Sequence, residues 1–300
     1  NFNSIPKIIK VILLGITFII LLVSISMTLY YLRAEVLKGG PEKTSLNSIS
    51  QEIIFPQPPP AHEKNTPLPE ITDKTTTIEV PILMYHYIEP PAEGDVAFRR
   101  KLTVSPEDFA KQSQWLASNG YKAITLLQLY RALAGDFILP EERPVILTFD
   151  DGYSNIFTYA LPVMRFFNQT AVFFVITDYL DSPGYLSWEQ VKNYKEFGFE
   201  IEAHSRSHPD LTKLSEKRLK EELLGSKKIL EEKLEVPIYF FCYPGGSYDQ
   251  KVKKATQQAG FKMVLTTKVG VEIPADNLLE IPRIRVSGEA SLEEFISRLK

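Results

Sequence analysis

Short apolar runs alternate with amphipathic stretches from about residue 78 to the end of the 300-residue chain. Runs such as PVILTF (144–149) and TAVFFVIT (170–177) are almost continuously apolar, which is typical of parallel strands covered on both faces. The stretch SPEDFAKQSQWLASNG (105–120) is helical in pattern instead, with Ser105 as its cap and Gly120 as its stop. This alternation predicts a parallel sheet with helices outside it.

About seven strand–helix units fit into these residues, and this number favours one barrel-like α/β domain over two small domains. The other predicted strands are VPILMY, YKAIT, FEIEAH, IYFFCYP, FKMVLTT and IPRIRV. The other predicted helices are TLLQLYRALAG, SNIFTYALPVMRFFN, SWEQVKNYKEFG, SEKRLKEELLGSKKILEEKL and DQKVKKATQQAG.

The N-terminal part has a different pattern, because residues 11–32 carry no charge at all. Roughly 20 apolar residues cross a bilayer core, whereas the apolar region of a cleaved signal peptide has about 7–15. Lys7 and Lys10 precede the run and indicate a cytoplasmic N-terminus. We expect residues 1–35 to be an uncleaved single-pass anchor with the rest of the chain outside the cell. A buried core helix is the alternative.

Residues 36–77 are rich in proline and poor in apolar anchors, as in FPQPPPAHEKNTPLPE. Such a composition predicts an extended linker, in which His62 is solvated. The catalytic domain is then expected at 78–300.

Composition argues against nucleic acid as a partner and against disulfide bonds within the chain. The net charge is −3, and no basic stripe with interleaved aromatic residues predicts nucleic acid binding. The one cysteine, Cys242, rules out an internal disulfide framework. We expect a monomer.

The predicted carboxyl ends of the strands are rich in reactive side chains. They carry His86, FDDG (149–152), HSRSH (204–208) and CYPGG (242–246), and three of the four histidines of the chain are among them. In barrels of parallel strands this edge faces the active site. Considered alone, FDDG is also explained by a turn or a helix cap, since Asp-Gly is common in turns.

The HSRSH segment favours a metal site over a simple turn or helix cap. Two histidines at this spacing lie on one side of a helical turn, so both imidazoles can reach one ion. Two imidazoles and one carboxylate of FDDG make a three-ligand set with open positions for water and substrate. The other carboxylate is then free to act as a base.

From about Ile78 to Lys300 the chain resembles the polysaccharide deacetylases that share the NodB homology domain, carbohydrate esterase family 4. The resemblance rests on LTFDDGY, HSRSH after EIEA, FCYPGGSYD and LLEIPRIRV. It implies a distorted (β/α) barrel of about seven strands. It also implies Asp150 as the base and Asp151, His204 and His208 as ligands of a divalent metal. Zn²⁺ is expected, and Co²⁺, Ni²⁺ or Fe²⁺ suit the same ligands.

Two departures from the family pattern change the expected catalytic residues. Many members have Arg-x-Pro-Tyr where this chain has Cys242 to Gly245, so the arginine that orients the base is missing. Arg283 or Arg285 can replace it; we favour Arg283, with a structural ion pair as the alternative. Cys242 itself is interpreted as a small buried apolar residue, while the backbone N–H of Gly245 can still bind an oxyanion.

The second departure is that no histidine follows His208, where many members carry a Leu-x-His acid. The segment LMYH, ending at His86, is similar to the first strand of the poly-β-1,6-N-acetylglucosamine deacetylase-like subset. We expect His86, as imidazolium, to protonate the departing amine; a satisfied core histidine is the alternative. The expected substrate contacts are Tyr243, Pro244, Trp188 and Tyr153, and for Trp188 a core position is the alternative.

The resemblance therefore implies removal of N-acetyl groups from a cell-surface polymer similar to poly-N-acetylglucosamine, with release of acetate. Three alternatives stay open: a peptidoglycan N-acetylglucosamine deacetylase, an O-acetyl polysaccharide esterase and a non-catalytic carbohydrate-binding module.

Overall fold

The computed structural model describes residues 68–92 and 94–299. The predicted anchor at 1–35 and most of the predicted linker lie outside these residues. Within the described ranges, no helix has the length and apolar character needed to cross a membrane.

The described residues form short strands, several helices and three single turns of 3₁₀ helix. The strands are β1 Thr77–Glu79, β2 Ile82–Tyr85, β3 Tyr87–Ile88, β4 Thr103–Val104, β5 Tyr121–Ala123, β6 Arg143–Phe149, β7 Val172–Val175, β8 Glu200–Ala203, β9 Phe240–Cys242, β10 Met263–Leu265, β11 Glu272–Pro274 and β12 Ile284–Arg285. The helices are α1 Ala97–Leu102, α2 Pro106–Ser118, α3 Leu126–Leu133, α4 Asn155–Phe166, α5 Trp188–Glu196, α6 Glu216–Leu234, α7 Gln250–Gln258 and α8 Leu292–Ser297.

Seven strands form one curled parallel sheet in the order β10-β9-β8-β7-β6-β2-β12, and β5 pairs with β6 as well. The segment 281–285 connects the two edges of this sheet. Ile281 exchanges backbone hydrogen bonds of 2.9 Å with Val264 and Thr266 beside β10. Ile284 and Arg285 then pair with β2. The parallel α/β sheet predicted from the apolar pattern is confirmed.

Alternate residues of the strands face two different cores, as the pleat of a strand requires. Leu147 of β6 packs in the outer core, between the sheet and the helices. Ile146, its neighbour, packs in the inner core with Phe174 and Phe240. Asp150 is four positions beyond Ile146, so the same alternation directs its side chain to the inner side.

Helix α3 closes the amino end of the curled sheet. Its residues Leu126, Leu129 and Leu133 belong to the inner core. The buried carboxylate of Glu200 accepts hydrogen bonds from the backbone N–H groups of Leu126 and Leu127, at 2.8 and 3.1 Å. A carboxylate at a helix N-terminus satisfies donors that have no partner inside the helix. The carboxyl end of the sheet is therefore the end available for a site.

The domain begins earlier than the pattern predicted. Ile71 is buried in the inner core and Leu68 packs against it. The hydroxyl of Tyr130 donates to the carbonyl of Pro69 at 3.2 Å, and β1 pairs antiparallel with β11. Residues 68–77, predicted as the end of the linker, thus pack on the domain, because two apolar side chains find a partner surface on α3 and the inner core.

Candidate metal centre and catalytic site

Asp151, His204 and His208 converge at the carboxyl end of the sheet. Asp151 Oδ1 lies 3.3 Å from His204 Nε2 and 3.4 Å from His208 Nε2. Ligand atoms about 2.0–2.1 Å from a tetrahedral ion are about 3.3 Å apart, so these three atoms fit the ligands of a zinc-like ion. Asp151 Oδ1 is also buried without a hydrogen-bond partner, which is unfavourable for a carboxylate unless a cation satisfies it.

The orientation of His204 agrees with a ligand role. Its Nδ1 lies 2.8 Å from the backbone carbonyl of Cys242, so that nitrogen carries the proton and Nε2 is the free donor atom. Burial opposes the charged ring, but Cys242 and the nearby carboxylate of Asp151 raise the pKa of His204 well above its usual value. A bound cation would displace the proton from Nε2, because both use the same lone pair.

His208 is placed by a loop with unusual backbone angles. Ser205 and His208 both have positive φ, of 64° and 56°, which non-glycine residues rarely adopt. The hydroxyl of Ser205 accepts a hydrogen bond from the N–H of His208 at 2.9 Å. Burial lowers the pKa of His208, which favours the neutral imidazole that metals bind.

Glu222 of α6 holds this loop, and the sequence pattern did not reveal it. The side chain of Glu222 is 2% exposed. Its carboxylate accepts from the N–H groups of Arg206 and Ser207, both at 2.9 Å, and from the hydroxyl of Ser207 at 2.7 Å. The available signal was its position next to Leu223, on the apolar face of a helix that is otherwise strongly charged.

The carboxylate of Asp150, directly after β6, is bound by Arg283, which directly precedes β12. Nη1 and Nη2 of Arg283 donate to Oδ1 and Oδ2 of Asp150, both at 2.8 Å. Both residues are buried. Burial opposes ionisation, but the Arg283 guanidinium outweighs it and holds the pKa of the Asp150 carboxyl well below its usual range. Of the two arginines predicted as replacements, Arg283 is the one in contact with Asp150.

The remaining donors of Arg283 are also satisfied. Nε donates to the carbonyl of Thr266 at 2.9 Å, Nη1 to the hydroxyl of Thr148 at 3.0 Å, and Nη2 to Cys242 Sγ at 3.0 Å. Thr148, which sequence reasoning missed, itself donates to the carbonyl of Leu83. Cys242 is buried as predicted, yet it contacts the guanidinium rather than only apolar side chains.

A second group of possible ligand atoms, from Asp150, His204 and Cys242, also lies within 4.8 Å. In that group Arg283 already binds both Asp150 oxygens and the sulfur. Because a cation would have to displace a buried guanidinium there, the group of Asp151, His204 and His208 fits an ion better.

His86 lies on the other side of Asp150. Its Nε2 is 3.9 Å from Asp150 Oδ2, and its side chain is 13% exposed. Burial lowers the pKa of His86 below its usual value, although Asp150 partly opposes this shift. The resting side chain is therefore a neutral imidazole at neutral pH, so it must gain a proton before it can act as the predicted imidazolium acid.

Gly245 follows β9 in the 3₁₀ turn Pro244–Gly246 and is exposed, with φ of 59°. Positive φ is readily available to glycine, and the space where a side chain would stand is open. Gly245 therefore lies just beyond the carboxyl end of β9, and its role as an oxyanion donor stays a prediction.

The residues predicted to contact sugars differ in exposure. Tyr243 is fully buried and stacks on Tyr248, with ring centroids 4.7 Å apart, and Pro244 is buried too. Both side chains lie away from the surface, because Tyr243 points to the side opposite Cys242 and packs in the outer core. We therefore withdraw sugar contact for Tyr243 and Pro244.

Trp188 and Tyr153 are partly buried and pack on the outer core. Lys233 lies over the Trp188 ring at 5.7 Å, which agrees with the core position left open for that residue. Tyr153 stacks on Tyr87 with centroids 3.9 Å apart, and Tyr185 lies 5.2 Å from it. The ring of Tyr153 is therefore engaged with other aromatic rings.

The fold and the site together define a class of protein. A carboxylate and two imidazoles in ligand geometry, with a second carboxylate beside them at the open end of a parallel α/β sheet, are typical of hydrolases that activate water.

Comparisons with known proteins narrow this class. Residues 139–264 match the family model described as polysaccharide deacetylase. Bacillus subtilis YxkH, whose name assigns it to the polysaccharide deacetylases, is 30% identical over 72% of this chain and 75% of its own length. The chain therefore belongs to the polysaccharide deacetylase family.

Two further similarities differ in coverage. The poly-β-1,6-N-acetyl-D-glucosamine N-deacetylase of Escherichia coli K12 is 24% identical over 69% of this chain, but the match spans only 37% of that protein. The structure of Streptococcus pyogenes deacetylase PplD in complex with acetate superposes with a TM-score of 0.68. It shares 28% identity and covers 75% of this chain and 100% of PplD.

Proposed function

We propose that this protein hydrolyses N-acetyl groups of an N-acetylhexosamine polymer similar to poly-β-1,6-N-acetylglucosamine. The observation that carries the proposal is the position of Asp150 between two groups: Arg283, which fixes its carboxylate, and His86, 3.9 Å from its Oδ2. The name of the E. coli relative and the histidine after the first inner strand support the choice of polymer.

The three ligand candidates set the chemistry of the attack. A divalent ion held by Asp151, His204 and His208 would polarise the acetamide carbonyl and lower the pKa of the attacking water, from about 15.7 toward about 7. Zn²⁺ suits one carboxylate and two imidazoles, and Co²⁺, Ni²⁺ or Fe²⁺ suit them too.

Asp150 is the base in this proposal. Its carboxylate is ionised over the whole physiological range, because Arg283 lowers its pKa. It takes one proton from the attacking water while the water oxygen bonds to the carbonyl carbon. A protonated carboxyl group with so low a pKa releases its proton readily. Asp150 therefore suits the role of a proton carrier better than that of a final proton acceptor.

His86 then receives that proton. The imidazole, whose Nε2 lies 3.9 Å from Asp150 Oδ2, accepts the proton from the protonated carboxyl group. The imidazolium protonates the nitrogen of the scissile bond, the C–N bond breaks, and the amine and acetate leave. The N–H of Gly245, just beyond the carboxyl end of β9, would donate to the oxyanion.

The proposal extends to location. The uncharged run at 11–32 would hold the catalytic domain at the outer face of the cell membrane, where a surface polymer is within reach. A monomer suffices, since all candidate residues come from one chain.

The test is acetate release by the purified full chain, loaded with Zn²⁺, from β-1,6- and β-1,4-linked N-acetylglucosamine oligomers, peptidoglycan and an O-acetylated polysaccharide. We expect the highest kcat/KM with the β-1,6 oligomers, and loss of activity with a chelator and in Asp151→Ala. Faster release from peptidoglycan or from the ester would replace the proposed substrate. Chelator-resistant release would contradict the metal role.

A further inference from the structure

Arg285 lies on the inner side of the curled sheet, closer to its opening than Arg283. Arg283 directly precedes β12 and Arg285 ends it, so their side chains, two positions apart, project to the same side. Ile284 and Val286 pack in the outer core, which confirms this alternation. Arg285 pairs with Met84 of β2, two residues before His86, so it stands beside the predicted acid.

The guanidinium of Arg285 has no partner among the described residues. Its backbone carbonyl accepts from Arg298, but no hydrogen bond or ion pair involves its side chain. Asp150, which attracts it, already offers both oxygens to Arg283. Arg285 thus adds a second positive charge at the site, and its side-chain donors are not used by the described residues.

This arrangement is unfavourable for the protein alone. Burial and the neighbouring Arg283 both lower the pKa of Arg285, because each disfavours a second cation there. The side chain is only half-buried, so it remains accessible to a ligand. A guanidinium with free donors in such a position matches the two oxygens of a carboxylate.

We propose that Arg285 is a carboxylate-binding residue at the mouth of the catalytic site. The inference rests on the proposed function, because hydrolysis of an acetamide leaves a carboxylate, acetate, at this place. An acidic substituent on the polymer is the second source of the same chemistry. Arg285 is distinct in role from Arg283, whose donors are all used within the protein.

The experiment compares the Zn²⁺-loaded full chain with Arg285→Gln and Arg285→Lys. Sodium acetate is added as an inhibitor of release from a neutral N-acetylglucosamine oligomer, monitored through the free amine. Loss of a charge-assisted contact should raise the inhibition constant of acetate about tenfold in Arg285→Gln. Arg285→Lys keeps the charge and should lose less. The matched control is Arg131→Gln on α3, which removes an ion pair with Asp136. It should not change the inhibition constant of acetate.

A second arm distinguishes the two sources. If Arg285→Gln leaves acetate inhibition unchanged but loses a preference for muramic acid-containing over neutral oligomers, the bound carboxylate belongs to the polymer. If neither changes, the inference is overturned. If the wild-type protein releases no acetate, the proposed function is contradicted, but the role of Arg285 is still tested. Calorimetric titration of acetate into the Zn²⁺-loaded wild type and Arg285→Gln then still decides whether Arg285 binds a carboxylate.

Discussion

Arg283 and Asp150 form a two-point contact in which both N–O distances are 2.8 Å. The residues are 133 positions apart in the sequence, and neither is exposed by more than 2%. A carboxylate gripped at both oxygens keeps one orientation and stays ionised, and both properties are needed if Asp150 is to take a proton from water on one side and face His86 on the other.

Arg283→Lys should lower kcat for acetate release about 100-fold, because misplacing a reacting group by about 1 Å costs roughly this much. A lysine keeps the positive charge but cannot hold two carboxylate oxygens together. Arg283→Ala should also lower the free energy of unfolding by about 3–5 kcal/mol, since it leaves Asp150 buried without its partner. Steady-state kinetics and urea unfolding measure the two effects.

The control for Arg283 is Arg100→Lys, which alters an exposed pair with Glu289 and should change neither quantity appreciably. A wild-type kcat in Arg283→Lys would show that Asp150 does not depend on the two-point contact.

Glu222→Ala should weaken Zn²⁺ binding about 10–100-fold, the range observed when groups that orient metal ligands are removed. The loop from Ser205 to His208 would lose three hydrogen bonds that hold its strained backbone. Glu222→Gln keeps an acceptor oxygen and should bind more tightly than the alanine variant. Competition with a chromophoric chelator gives the affinity without relying on activity.

Glu221→Ala is the matched control, because Glu221 is the exposed neighbour on the same helix. Equal zinc affinity in Glu222→Ala and Glu221→Ala would mean that the loop holds His208 without help from α6.

The pH dependence of kcat/KM should report how His86 obtains its proton. Burial lowers the pKa of His86 below its usual 6.5, so it is neutral above that pH and charged only below it. If the proton arrives through Asp150, kcat/KM stays level as pH rises from about 6.5 to 8. A decline over this interval would indicate that His86 must be protonated before substrate binds. His86→Ala should lose turnover and retain its zinc.

Cys242 should resist thiol reagents in the folded protein. Its side chain is 1% exposed, and burial raises the pKa of the thiol, although Arg283 opposes this. The reactive species is the thiolate, so both effects slow modification. A disulfide reagent should label no thiol under native conditions and one per chain in denaturant, since the chain has one cysteine. Rapid native labelling would show that the contact with Arg283 opens.

The local pattern of apolar and polar residues was sufficient to predict most of the strands and helices. Continuous apolar runs identified the inner strands because both faces of a parallel strand are covered, and Ser105 accepts the predicted capping hydrogen bond, from Asp108 at 3.1 Å. Short elements such as β3, β4 and β11 were not predicted, because two or three residues carry no measurable period. The start of the domain was predicted too late, since the burial of Ile71 depends on a surface formed by distant residues.

The sequence by itself determined the metal ligand candidates, because Asp150 and Asp151 are adjacent and His204 and His208 share one short loop, so their spacing is local. Tertiary structure alone decided the rest. It selected Arg283 rather than Arg285 for Asp150, buried Tyr243, and brought Glu222 of α6 to the loop of His208. Each of these depends on which side chains meet when strands and helices pack, and that partner choice is set by contacts between segments far apart in the chain.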